Sequence, residues 1–243
     1  ISVAETLFSS IGGLKAQKGM SKWLFGRDDE LAFEIVARQK QIYFYAAVPE
    51  PLQTFVEQQL ASVYPDVFVE EVEDYNVFSP TGTILAGYLT FKREKFFPLR
   101  TYRQLETDPL STLTNALSKV GDHDGIAIQY VVRSARSSWR KGGVKIARAM
   151  QQGVSLEDAL KGKTKYKKQN EWLKAAGIHS EDQKPQKEYR LSPLEEQLVK
   201  GVEEKANKAG LDVNVRLVVS SATPPQAEML FNNLMSAFTP FNI

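Results

Sequence analysis

Two adjoining stretches of β-forming residues constrain the fold of this chain more than any other feature. Residues 31–39 and 41–48 are dominated by aromatic and β-branched side chains, which favour strands. They meet at Lys40-Gln41, so the sequence predicts a β-hairpin. A hairpin makes its two strands antiparallel, which argues against a doubly wound parallel sheet.

Apolar patterning predicts further strands and helices along the chain. Strands are indicated where apolar and β-branched residues alternate or run together, over residues 66–73, 83–93, 125–134 and 212–220. Helices are indicated by apolar residues at helical spacing, over residues 3–15, 51–63, 109–119 and 192–210, and after Pro224-Pro225. Asp108 and Ser192 stand where helix N-caps are expected.

The order of these elements indicates an α+β fold. The order β-β-α-β near the beginning is most of a ferredoxin-like unit, in which helices cover one face of a sheet. We therefore predict two ferredoxin-like α/β halves, residues 1–107 and 108–243, with a mixed or antiparallel sheet and helices packed on it. The two halves can share one continuous sheet.

A basic helical insertion interrupts the second half at about residues 137–188. Cations interleaved with aromatic rings suit the backbone and bases of nucleic acids. The same surface also suits anionic lipid or an acidic protein, and a plain solvated face has a similar composition. The candidate contacts to nucleic acid or a partner are Arg136, Trp139, Arg140, Lys141, Lys145, Arg148, Lys163, Lys165, Lys167 and Lys168.

No residue pattern identifies a catalytic, cofactor or metal site. The chain has no cysteine, which excludes disulfides and thiolate metal ligands. Gly162-Lys163-Thr164 matches the end of a phosphate-binding loop, but Glu157 stands where that motif needs its first glycine. His123 lies in a short polar triplet between glycines, which is typical of a turn. We therefore predict that this chain is not an enzyme, binds no cofactor and has no small-molecule substrate.

A series of short motifs, taken in order, resembles one known family. The motifs are Phe33-Glu34-Ile35-Val36, Ile42-Tyr43-Phe44-Tyr45, Val48-Pro49, Tyr64-Pro65, Asp74-Tyr75, Leu99-Arg100-Thr101-Tyr102 and Asp108-Pro109-Leu110. Their order resembles the domain that precedes the motor in conjugative type IV secretion ATPases of Gram-positive and candidate-phyla bacteria. The resemblance covers nearly the whole chain, and the nucleotide-binding motifs of the family's motor are absent from it.

The resemblance implies a non-catalytic assembly and docking domain of a DNA- or protein-translocating ATPase. The full protein would be anchored in the membrane upstream of Ile1 and would carry its motor beyond Ile243, with this domain on the cytoplasmic side. Its partners would be other subunits of the ATPase or of a membrane complex, with DNA as a further candidate. Candidate subunit contacts are Asp74, Tyr75 and Phe78, together with the insertion around Trp139.

Two alternatives stay open from the sequence. The chain can be a stand-alone nucleic-acid-binding module that uses the basic, aromatic insertion, with Tyr43 and Tyr45 or Phe44 facing outward from the sheet. It can also be an enzyme whose site no motif reveals, which would require an apolar pocket with convergent polar groups.

Overall fold

The computed structural model describes residues 2–14, 16–20, 24, 27–79, 81–101, 105, 108–162 and 190–241. These residues belong to two compact units. The first unit contains Ile1–Lys92, Leu99–Arg136 and Ala209–Ile243, and the second contains Arg93–Pro98 and Ser137–Lys208. The boundary predicted between residues 107 and 108 falls inside the first unit, whereas the predicted insertion at about 137–188 falls inside the second.

The described strands of the first unit form one antiparallel sheet. Its order is β2-β1-β4-β5-β3, and every neighbouring pair is antiparallel. The predicted hairpin is confirmed as the β1–β2 pair, and the α+β class with helices on an antiparallel sheet is confirmed as well. The strands are β1 (Leu31–Arg38), β2 (Gln41–Ala47), β3 (Thr83–Leu89), β4 (Gly125–Ser134) and β5 (Leu211–Ser221).

The strands of the two predicted halves interleave in this sheet. β3 does not lie beside β1 or β2 but pairs with β5 at the opposite edge, with Ala86 facing Val218. Neither half therefore forms a ferredoxin-like sheet of its own, and the prediction of two such halves is corrected in this respect. β4 and β5 carry long apolar runs that suit the middle of a sheet, whereas β3 alternates exposed residues and suits an edge.

The described residues also form seven α-helices. These are α1 (Ser2–Gly13), α2 (Gln53–Val63), α3 (Pro109–Leu117), α4 (Ser138–Gln151), α5 (Leu156–Leu160), α6 (Pro193–Ala206) and α7 (Pro224–Ser236). The two predicted N-caps are confirmed, since the Asp108 carboxylate accepts from the Leu110 amide and Ser192 forms a capping box with Glu195. None of the described helices is long and apolar enough to cross a membrane.

Helices α1, α2, α3 and α7 pack on one face of the sheet. On β4 and β5 this face carries Ile128 and Leu217, which are fully buried against Leu117 of α3 and Leu230 of α7. A neighbouring cluster joins α1 and α2 to the beginning of β1 and the end of β4. The side chains that alternate with these along each strand lie on the other face, among them Tyr43, Tyr45, Glu34 and Gln129. We call this the tyrosine face.

The strand predicted over residues 66–73 is absent. Residues 67–79 form neither helix nor strand, and the side chains of residues 66–74 are exposed. Adjacent side chains of a strand point to opposite faces, so one of the adjacent Glu70 and Glu71 carboxylates would point at the helix layer in any register. The apolar alternation that predicted the strand does not outweigh this cost of burying a charge.

The second unit is helical in the described part. Its core joins α4, α5 and α6 through Met150, Ala159 and Val199. The helical character predicted for the insertion is thus confirmed over α4 and α5. Lys205 of α6 donates to the carbonyl oxygens of Lys95 and Phe97 at 2.7 and 2.8 Å, which ties residues 93–98 to the helices, and burial lowers the pKa of this ammonium group.

Candidate interaction surfaces

The connection between α2 and β3 is the most unusual surface of the first unit. We call residues 64–79 the acidic segment, since it contains five carboxylates and no lysine, arginine or histidine. The segment also exposes large apolar side chains, which are Tyr64, Val67, Phe68, Val69, Val72 and Phe78. Phe68 is 83% exposed, far more than a ring that contributes to a core. Because exposed apolar side chains that lie close together are typical of interaction sites, we treat the acidic segment as a candidate interaction surface.

Tyr75 anchors the acidic segment to the tyrosine face. Its ring stacks on Tyr45 of β2, with centroids 4.5 Å apart and planes 15° from parallel. Its hydroxyl donates to Glu34 of β1, and Gln129 of β4 donates to the same carboxylate at 2.9 Å. Burial and the Glu34 carboxylate raise the pKa of the Tyr75 phenol, so this donor stays protonated throughout the neutral range.

Beyond Tyr75 the acidic segment crosses the sheet towards β3. The Val77 carbonyl lies directly over Gly125 of β4, where an added methyl group would find no room, and the Ser79 amide donates to the Ser220 hydroxyl of β5 at 3.1 Å. Of the predicted subunit contacts, Asp74 and Phe78 are exposed on either side of the half-buried Tyr75. The three predicted residues therefore lie together on one anchored segment.

Several residues at this anchor were not singled out from the sequence as site residues. Glu34 is 8% exposed although it is charged, and it lies in the cross-strand row Tyr45, Glu34, Gln129, Arg216 and Tyr88. A lone glutamate inside an otherwise apolar strand is the sequence signal for such a buried partner. The rings of Tyr43 and Tyr45 are half-buried on the tyrosine face, whereas Phe44 is exposed on the other side of β2.

Helix α4 presents the second candidate surface. Lys141, Lys145 and Arg148 are exposed and lie at helical spacing on one side of α4; we call them the basic stripe. Val144 is exposed beside them. Within the part of the chain that the structure describes, no carboxylate forms an ion pair with the stripe.

The other predicted basic contacts have different surroundings. The Arg140 guanidinium lies 5.6 Å from the centre of the half-buried Trp139 ring and donates to the Lys208 carbonyl at 2.6 Å, so both side chains contribute to packing. Arg136 is exposed and belongs to the first unit. Lys163, Lys165, Lys167 and Lys168 lie outside the described residues.

The structure describes the polar triplet around His123 but only the first residue of Gly162-Lys163-Thr164, since Lys163 and Thr164 lie outside the described residues. Asp124 closes the predicted turn, since its carboxylate accepts from the Gly121 amide at 3.0 Å and from the Ser221 hydroxyl at 2.6 Å. Gly162 follows the end of α5 with φ of +76°, a conformation that favours glycine after a helix. Among the described side chains, no group of three or more His, Cys, Asp or Glu could hold a metal ion.

Comparison with known proteins places the chain in a family. No curated protein and no solved structure matches the sequence. One family does match, over residues 1–242, and it is described as a domain of unknown function, DUF8128. Because the match spans essentially the whole sequence, the chain belongs to the DUF8128 family.

Proposed function

We propose that this chain is a non-catalytic assembly domain of a conjugative type IV secretion ATPase. In this proposal it acts at the cytoplasmic face of the membrane, as part of a larger membrane-anchored protein whose ATP hydrolysis takes place elsewhere. Its partners are other subunits of the same complex. The observation that carries the proposal is the acidic segment, which exposes apolar side chains among five carboxylates.

The anchoring of the acidic segment supports a docking role. A free loop would lose much conformational entropy on binding, whereas Tyr75 and Ser79 already fix one end of this segment on the sheet. The Phe68 ring is exposed, so its burial by a partner would contribute favourable free energy to binding. The flanking carboxylates supply specificity. An acidic partner surface would repel them, and an apolar one would leave them without a cation.

Removing the apolar side chains of the segment tests this function. We expect the triple variant Phe68→Ser, Val69→Ser, Val72→Ser to bind the purified secretion ATPase of the same genome about tenfold or more weakly than the wild type, as expected for loss of interface anchors. Its thermal stability should stay close to that of the wild type, since all three side chains are exposed. Titration calorimetry gives the affinity and thermal unfolding gives the stability.

The double variant Met229→Ser, Met235→Ser serves as the control. Both side chains are exposed on α7, away from the acidic segment in the sequence, and their loss should leave the affinity unchanged. Absence of binding by the wild-type chain would contradict the proposed function. Equal affinities of the wild type and the triple serine variant would remove the acidic segment from it.

A further inference from the structure

We propose that the partner of the acidic segment is a second copy of this chain, whose basic stripe on α4 receives it. This inference rests on the proposed function as an assembly domain and adds the identity of the contact. The acidic segment of one copy binds Lys141, Lys145 and Arg148 of the next copy, so that the copies associate head to tail.

The two surfaces carry opposite charges. The acidic segment carries a formal charge of −5 from Asp66, Glu70, Glu71, Glu73 and Asp74, and α4 carries +4 from Arg140, Lys141, Lys145 and Arg148. The whole chain has a formal net charge of only +2, so two copies repel each other weakly. Opposite potentials on the two surfaces therefore steer the acidic segment of one copy towards the basic stripe of another.

Charged and apolar groups are placed at matching distances on the two surfaces. Lys141 and Arg148 are about 10 Å apart along a helix that rises 1.5 Å per residue. Glu70 and Asp74 are separated by up to about 13 Å along an extended chain. Val72 lies between these two acids, and the exposed Val144 lies among the cations. Contact between the two valines excludes water from the ion pairs around them, which strengthens those pairs.

Within the described chain, neither surface has an ionic partner. The carboxylates of residues 66–74 and the cations of the basic stripe are exposed, and the ion pairs of the described residues involve other groups. Because the two surfaces differ, their contact is heterologous, and each copy keeps one surface free for the next. Such a contact builds a ring or a chain of copies.

Charge reversal of each surface separately tests the head-to-tail contact. The acid-reversed variant is Glu70→Lys, Glu71→Lys, Asp74→Lys, and the base-reversed variant is Lys141→Glu, Lys145→Glu, Arg148→Glu. By sedimentation velocity we expect the wild type to show a mass that rises with concentration at about 0.15 M salt and falls to that of the monomer at about 1 M salt. Each variant alone should be a monomer. An equimolar mixture should associate again, because the intact acidic segment of one variant meets the intact basic stripe of the other, and the two reversed surfaces also carry opposite charges.

The control reverses three other exposed cations. The variant Lys119→Glu, Lys200→Glu, Lys208→Glu changes the net charge by the same amount as the base-reversed variant. It should nevertheless associate like the wild type. A chain that carries both sets of reversals should recover self-association. A wild type that is monomeric at every concentration, or a mixture of the two reversed variants that stays monomeric, overturns the inference.

Two further readouts separate this inference from its rivals. A fluorescent single-stranded oligonucleotide that binds the wild type and loses affinity for the base-reversed variant, while self-association is unchanged, would assign the stripe to nucleic acid and overturn the inference. Binding of the secretion ATPase without any self-association would also overturn it, but would leave the proposed function standing.

Discussion

Replacing Gly125 with alanine is expected to lift the acidic segment off the sheet and to lower the free energy of unfolding by about 1–3 kcal/mol, the usual cost of overpacking. A Cβ atom at this position would overlap the Val77 carbonyl oxygen and lie 3.0 Å from the Val77 Cβ. Both are backbone-fixed atoms, so no rotation of a side chain relieves the clash. Val77 cannot retreat without disturbing the Tyr75 stack on one side or the Ser79 hydrogen bond on the other.

Urea denaturation of the wild type and of the Gly125→Ala variant measures this effect. Gly13→Ala is the matched control, because a Cβ there meets no atom within 4 Å and the residue lies at the end of α1. It should leave stability unchanged or raise it by up to about 1 kcal/mol, the difference in helix propensity. If Gly125→Ala were as stable as the wild type, the crossing of the acidic segment over β4 would be wrong.

The second large effect concerns the helix-covered face of the sheet. Leu230→Ala is expected to lower the free energy of unfolding by about 3 kcal/mol, because the side chain is fully buried and its loss leaves a cavity. Leu230 packs in the cluster that joins α3 and α7 to the central strands, including Leu217 of β5. The same denaturation experiment gives the value.

Met229 provides the control for this substitution on the same helix. It is 45% exposed, so Met229→Ala should change stability by no more than about 0.5 kcal/mol. A large loss for Met229→Ala together with a small one for Leu230→Ala would mean that α7 presents its other side to the sheet. Equal losses would contradict the packing of α7 described above.

Local signals explain which parts of the fold were predictable from the sequence. The hairpin follows from β-forming residues on both sides of a short connection, and the caps at Asp108 and Ser192 follow from side chains next to the helices that they begin. The pairing of β3 with β5 has no such signal, because more than a hundred residues separate the two strands. The false strand at residues 66–73 shows that apolar alternation fails when adjacent charges occupy both of its faces.

The candidate surfaces were also predictable only where their signals are local in the sequence. The basic stripe follows from the spacing of Lys141, Lys145 and Arg148 on a helix, which is a local property. Asp74 and Tyr75 form one of the quoted motifs, and Phe78 was named with them as part of the same polar, partly aromatic edge. Glu34 belongs to one of the quoted motifs but was not named as a site residue, because its role depends on Tyr75, 41 residues away in the chain, and on the crossing path that brings the phenol to it. Trp139 and Arg140 stay predicted contact residues, and the contact of Arg140 with the Trp139 ring and with the Lys208 carbonyl carries no signal in the sequence.

Hydrogen–deuterium exchange of the backbone amides of residues 68–74 tests most directly whether the acidic segment is a docking surface. In the described chain these amides donate no hydrogen bond to the backbone, so they should exchange rapidly in dilute solution. In the assembled complex they should exchange more slowly than in the dilute chain, because the partner covers them. Rapid exchange of these amides in both states would contradict the account.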